Sequence, residues 1–262
     1  MKLDFKYKMD VANPAASRVL PRDVPGLVLD LDADVGVTYT VGLVLSSWAD
    51  QSGNGNNATP GAGSLGLVGL LEDASFAGHA SITTNGVNDY LLANGIGGLP
   101  AGNPGTVFHL VGVDKYVTLP AAQVTQYCWS DVTITNRRII NLSTVNGPQR
   151  QLCQRTDDAG GFVQPAGSIT ETAGGAHIHE YTCNGTNITV LRDGAVTINN
   201  AAFGANQITP TRFTIGGRKL GTSAPSLLCN MSLSRLLVYN NVPSAADQTW
   251  LRAYLKDRYE TP

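Results

Sequence analysis

The stretch PGLVLDLDADVGVT, residues 25–38, and the stretch SSWADQSGNGNNATPG, residues 46–61, decide how the chain reads. Within GLVLDLDA, residues 26–33, aliphatic side chains alternate with carboxylates, which is the period of a β-strand. Asp30, Asp32 and Asp34 therefore share one face if the strand stays regular, and three like charges there repel unless a cation or a basic partner relieves them. Calcium is one candidate ligand of Asp30, Asp32 and Asp34, although their spacing matches no EF-hand loop. The other reading ends the strand early, with the last carboxylates facing water or capping a turn. The second stretch joins Trp48 to Asp50, Asn54 and Asn56 within a run of amides and glycines. Sugar sites use such parts, an aromatic face for the C–H side of a ring and amides or a carboxylate for its hydroxyls. The same residues also build ordered loops by bonding to their own backbone, with Trp48 as a core anchor.

Working outward, short β-rich runs recur at ASITTNGVNDYLLA (80–93), TVFHLVGVDKYV (106–117), RRIINLST (137–144), AHIHEYTC (176–183), NITVLRD (187–193), AVTINN (195–200) and RFTIGG (212–217). Asn146-Gly147, Asn184-Gly185 and Asp193-Gly194 supply the positive-φ residues that two-residue hairpins demand. Even spacing without intervening helical patterns predicts an all-β, antiparallel two-sheet sandwich rather than a parallel α/β sheet. One helix is expected at about 244–258, where Ser244 and Asp247 form a capping box after Pro243, and Leu251, Tyr254 and Leu255 recur at helical spacing beside Trp250. Upstream, residues 1–25 read as an extended N-terminal arm. Leu3, Phe5, Tyr7 and Met9 fall on one side of it and Lys2, Asp4, Lys6, Lys8 and Asp10 on the other, followed by Pro14, Pro21 and Pro25. Such an arm can add a strand to a neighbouring subunit's sheet edge. Residues 26–262 then form one domain, which a chain of 262 residues permits.

The formal net charge of −2 lacks the basic surplus that phosphate neutralisation needs, so nucleic acid is not an expected partner. The apolar runs fall far short of the roughly 20 residues that span a bilayer, so no membrane insertion is expected. The start MKLDFKYKMD has no continuous apolar region of the secretory kind, which predicts synthesis in the cytoplasm. Cys128, Cys153, Cys183 and Cys229 contain no CxxC pair and read as buried free thiols, with a bridge between two of them open if the protein ends outside the cell. His177 and His179 share one side of a strand without a third ligand and are expected to be partly exposed, and His79 and His109 suggest no constellation.

Three blocks, in order, resemble the concanavalin A-like lectin/glucanase superfamily, in particular the laminin-G-like jelly rolls of phage and bacterial surface proteins. They are the opening pair quoted above, SITTNGVNDYLL (81–92), similar to the family's FDGVDDYL strand, and LSRLLVYNNVPSAADQTWLRAYLKDRYE (233–260), similar to its closing strand and helix. Together they bracket about 26–260. Two departures stand out: Ser234 and Arg235 occupy the closing strand where many relatives carry Glu, and Asn88 replaces an Asp. The resemblance implies a concanavalin A-like jelly roll. Glucanases of the superfamily carry their carboxylates as E-x-D-x-x-E, and none of the four glutamates here, Glu72, Glu171, Glu180 and Glu260, lies in that motif, so an enzyme is not expected. It further implies a bacteriophage virion structural protein, a capsid decoration or head-attached protein, with other capsid or tail proteins and its own copies as partners in a homo-oligomer. A second reading is a carbohydrate-binding adhesin on a tail or cell surface that recognises host glycans, and a third is a glycoside hydrolase. No cofactor is required, calcium being the one candidate.

Overall fold

Alternation along the β-rich runs builds two facing sheets. We describe a computed structural model over residues 19–262, apart from 43, 65, 95, 97–106, 121, 131–137, 145–149, 157–160, 170 and 205–209, and give the backbone alone for strand residues 94, 138–144, 150–152 and 168. Leu3, Phe5, Tyr7 and Met9 of the expected arm lie outside the described residues, as does Asn146-Gly147.

The strands are β1 (Leu27–Asp32), β2 (Val37–Tyr39), β3 (Leu45–Trp48), β4 (Thr59–Pro60), β5 (Val68–Asp73), β6 (His79–Thr83), β7 (Leu91–Asn94), β8 (Val107–Tyr116) and β9 (Val124–Ser130). They continue as β10 (Arg138–Thr144), β11 (Arg150–Thr156), β12 (Phe162–Val163), β13 (Ala166–Ser168), β14 (His177–Asn184), β15 (Asn187–Arg192), β16 (Ala195–Ala202), β17 (Arg212–Ile215) and β18 (Met231–Tyr239), before helix α1 (Ala245–Tyr259). One sheet runs β16-β15-β14-β8-β18-β6-β5 with β1 also beside β18. The facing sheet runs β12-β11-β10-β9-β17-β7-β4 with β13 beside β11, and β2-β3 is a separate hairpin. The pairings within both sheets are antiparallel, as expected for a jelly-roll sandwich. In the β15–β16 turn, Asp193 and Gly194 both take positive φ, 52° and 85°, which matches the twist of the flanking strands.

Leu29, Leu31, Phe108, Leu110, Tyr181, Leu236 and Val238 of the first sheet meet Leu91, Tyr127, Trp129, Phe213 and Ile215 of the second. Gly112 leaves room for the Tyr127 hydroxyl, which crosses from the facing sheet into the place a Cβ would take. The other face of the first sheet is also covered: Val111, Val113, Ile178, Leu237 and Tyr239 pack beneath Leu251, Leu255 and Tyr259 of α1. Burial on both faces is why β8 and β18 read as nearly continuous apolar runs instead of alternating ones. The helix starts as the sequence predicts, Ser244 Oγ accepting from the Asp247 N–H at 3.2 Å.

Residues 19–24 belong to this covered face. Val19 and Leu20 N–H groups donate to Asp23 Oδ2, both at 2.9 Å, and Pro21–Asp23 form one 3-10 turn in place of extended chain. Proline suits the first position of such a turn, where its missing N–H is no loss. Tyr239 donates to the Pro21 carbonyl at 3.0 Å, and Val24 is buried against the helix cluster.

Candidate functional site

The two residue sets singled out from sequence come together along one strand. Among the described strands β1 pairs with β18 alone, and the loop after Trp48 runs along its other side. Trp48 Nε1 donates to the Asp32 carbonyl at 3.0 Å, Gln51 N to the Asp30 carbonyl at 2.7 Å, Asn54 Nδ2 to the Leu27 carbonyl at 3.1 Å, and Asn56 Nδ2 to the Val28 carbonyl at 2.8 Å. In return Asp50 Oδ1 accepts from the Asp30 N–H at 2.9 Å, while the same carboxylate collects the N–H groups of Ser52 and Asn56. Side chains of the loop thus do what a neighbouring strand would do, satisfying the open edge of β1. Trp48 and Asn56 are buried by this, and Trp48, Asp50 and Asn56 are committed to holding the backbone rather than facing a ligand. Asn54 and Asn57 remain exposed. Among the described residues nothing donates to Asn54 Oδ1 or accepts from Asn57 Nδ2, though Asn57 Oδ1 takes the Asp50 N–H at 2.9 Å.

Asp30 and Asp32 do share the outer face of β1, and Asp34 follows just past the strand end, where its N–H bonds back to Asp32 Oδ1 at 3.1 Å. Their charge is met by arginines. Arg235 grips Asp30 through Nε and Nη2, at 3.1 and 2.9 Å, and reaches Asp32 through Nη1 at 2.7 Å. Arg258 of α1 donates to Asp32 Oδ2 at 3.1 Å and Asp34 Oδ2 at 2.7 Å, and His79 Nδ1 lies 2.5 Å from the same Asp34 oxygen. Burial pushes the Asp34 carboxyl up, but the Ala80 N–H, His79 and Arg258 outweigh it and hold the group below the usual range. For Asp30 burial wins over Arg235, and the carboxyl sits above its ordinary value. These oxygens are aimed at guanidinium groups, so the set does not fit calcium, and among the described residues no group of three or more His, Cys, Asp or Glu is arranged to hold a metal. The basic partner is Arg235, the residue that stands where the resemblance led one to expect Glu.

Beside this network Trp250 and Tyr254 of α1 stack on each other, ring centroids 5.3 Å apart and planes 22° off parallel. They lie one flank away from the buried line Asp247, Leu251, Leu255 and Tyr259, so the i, i+4 spacing that pairs them also leaves both partly exposed. The Arg235 guanidinium sits 5.9 Å from the Tyr254 ring. Leu27, Trp250 and Tyr254 all pack at the rim of the helix cluster. The sequence marked Trp250 only as part of the helix; its i+4 relation to Tyr254 was the available signal.

A second polar cluster lies between the sheets. His179 is buried with Nδ1 3.0 Å from Asp114 Oδ1 and Nε2 3.2 Å from Glu171 Oε1, and Tyr127 donates to Asp114 Oδ2 at 2.5 Å. Burial favours the neutral imidazole, but the two carboxylates outweigh it and push His179 up to about 10. His177 bonds Asp193 Oδ2 at 2.8 Å and receives Arg192. The two histidines expected to be partly exposed are therefore both buried, with carboxylates of other segments, Asp114, Glu171 and Asp193, as their partners.

No protein-family model matches the chain, and no curated protein matches it by sequence. Solved structures do resemble it. Trypanosoma rangeli sialidase is 16% identical with a TM-score of 0.57, over 94% of this chain and 35% of the sialidase. A botulinum neurotoxin type C structure, described by its interaction with two ganglioside molecules, is 13% identical with a TM-score of 0.58, over 89% of this chain and 52% of that one. Domain 4 of the extracellular arabinanase AbnA from Geobacillus stearothermophilus, in complex with arabinotriose, is 13% identical with a TM-score of 0.59, over 87% of this chain and 98% of that domain. The chain spans about a third of the sialidase it matches and nearly the whole of the arabinanase domain. Together with the sheet topology, these likenesses define the fold class: an all-β, jelly-roll sandwich closed by a C-terminal helix.

Proposed function

We propose that this chain is a non-enzymatic, lectin-like module that binds carbohydrate. The observation that carries this reading is the end-to-end likeness to domain 4 of the arabinanase, which was solved with arabinotriose: the match takes in a whole domain. The state of six of the eight buried carboxylates among the described residues supports the absence of catalysis. Asp30 and Asp32 are held by Arg235, Asp73 by Lys115, Glu180 by Arg252, and Asp114 and Glu171 by His179. Two-carboxylate hydrolysis needs one acid and one base free to face the scissile bond. A glycan array probed with the intact chain, with release of reducing ends measured on every hit, tests the proposal. Selective binding without release is expected, and turnover on any hit would replace this reading with a hydrolase.

The three sequence blocks favour a setting for this module, a bacteriophage virion on which it is displayed as a capsid decoration or head-attached protein beside other virion proteins and its own copies. Host surface glycans are then its targets. Antibody raised against residues 26–262 should label intact particles, and labelling confined to unassembled protein in the lysate would remove the setting while leaving carbohydrate binding open.

A further inference from the structure

Of the described Phe, Tyr and Trp residues, only Tyr39, Phe162, Trp250 and Tyr254 are not buried, and of these four only Trp250 and Tyr254 stack on each other. Among the described residues neither the Trp250 Nε1–H nor the Tyr254 hydroxyl has a hydrogen-bond partner within the protein. The amide loop is linked to the elements around this pair by two chains of contacts. Leu27, whose carbonyl accepts from Asn54 Nδ2, packs against the same helix cluster as both rings. Arg235, which lies against Tyr254, is bound to Asp30, whose N–H rests on Asp50.

Resting on the carbohydrate-binding reading, we infer that the Trp250–Tyr254 pair is the sugar-contact platform, with Asn54 Oδ1 and Asn57 Nδ2 as neighbouring hydroxyl partners, and that it takes neutral oligosaccharides. Stacked rings offer a flat apolar face to the C–H side of a sugar, while the indole N–H, the phenol and the open amide atoms meet its hydroxyls. Charge decides the class of sugar. Arg235, against Tyr254, and Arg258, one turn further along α1, are both bound to Asp30, Asp32 and Asp34. A sialic acid carboxylate approaching these two guanidinium groups would find them already paired with three aspartates.

The test uses the intact chain, its Trp250→Leu and Tyr254→Leu variants, and an array of neutral and sialylated oligosaccharides. Leucine preserves helix propensity and apolar contact while removing the ring face. Neutral hits for the parent chain that weaken about tenfold or more in each variant, at an unchanged thermal midpoint, are expected. Neutral hits unaffected by either variant, or a preference for sialylated sugars, would overturn the platform and leave carbohydrate binding intact; no hits for the parent chain would overturn both. If a variant loses its folded state, quenching of parent-chain tryptophan fluorescence by the best neutral hit decides instead. Trp48 and Trp129 are buried, so an unchanged spectrum on saturation counts against the platform.

Discussion

Arg235 holds Asp30 by two parallel contacts, Nε to Oδ1 at 3.1 Å and Nη2 to Oδ2 at 2.9 Å, and so locks the closing strand to the first one beneath the helix. Both side chains are buried, which makes the pair a poor candidate for net stabilisation but a costly one to break.

Replacing Arg235 with Met leaves Asp30 and Asp32 without their principal cation. The expected loss is about 3–5 kcal/mol of unfolding free energy by urea titration at neutral pH. The deficit should shrink as pH falls, because burial already holds the Asp30 carboxyl above its ordinary value and its protonation removes the unpaired charge.

Asp50→Ala removes one acceptor shared by the N–H groups of Asp30, Ser52 and Asn56. A loss of about 1–3 kcal/mol is expected for these unmet donors. Hydrogen exchange should rise locally at residues 50–57 and along β1 while β8 and β18 stay protected; uniform loss of protection would contradict the edge-capping role assigned to the loop.

The buried His179 gives stability a defined pH dependence. Its folded value of about 10 lies above the ordinary 6.5, so its contribution is fully present below about 6.5 and is lost as pH rises through about 10. Urea midpoints should fall across that window, and His179→Gln, less stable at neutral pH, should show a flatter alkaline limb. His109 acts on the acid side: burial, then the nearby Arg252, pushes it down to about 3, so stability falls as pH drops from 6.5 toward that value.

All four cysteines are buried free thiols, and burial raises Cys153, Cys183 and Cys229 out of the reactive range. Ellman's reagent should find them unreactive in the native chain and reactive in guanidinium. Fast native reaction at any one of them would contradict the burial described.

The fold was legible because it is local in origin. Alternation marked the strands, Asp193-Gly194 marked a turn, and Ser244 with Asp247 marked the helix start, each a signal spanning a few residues. The site was legible in part. Asp30, Asp32 and Asp34 were placed on one face, but their partners Arg235 and Arg258 lie about two hundred residues later, and sequence spacing carries no information on which strand returns to β1. The same limit hid the pairing of His179 with Asp114, 65 residues earlier on β8. In the Trp48–Asn57 loop both readings predicted the same residue types; only the open edge of β1 decides that Asp50 and Asn56 serve the backbone.

The most direct test of the proposal that this chain binds sugar without cleaving it or needing calcium is calorimetric titration of the intact chain with its best array oligosaccharide, run with and without EDTA, followed by chromatography of the recovered sugar. The account predicts the same affinity in both buffers, since arginines neutralise the β1 aspartates, and sugar recovered intact. Affinity abolished by EDTA, or shortened sugar in the recovered sample, would contradict it.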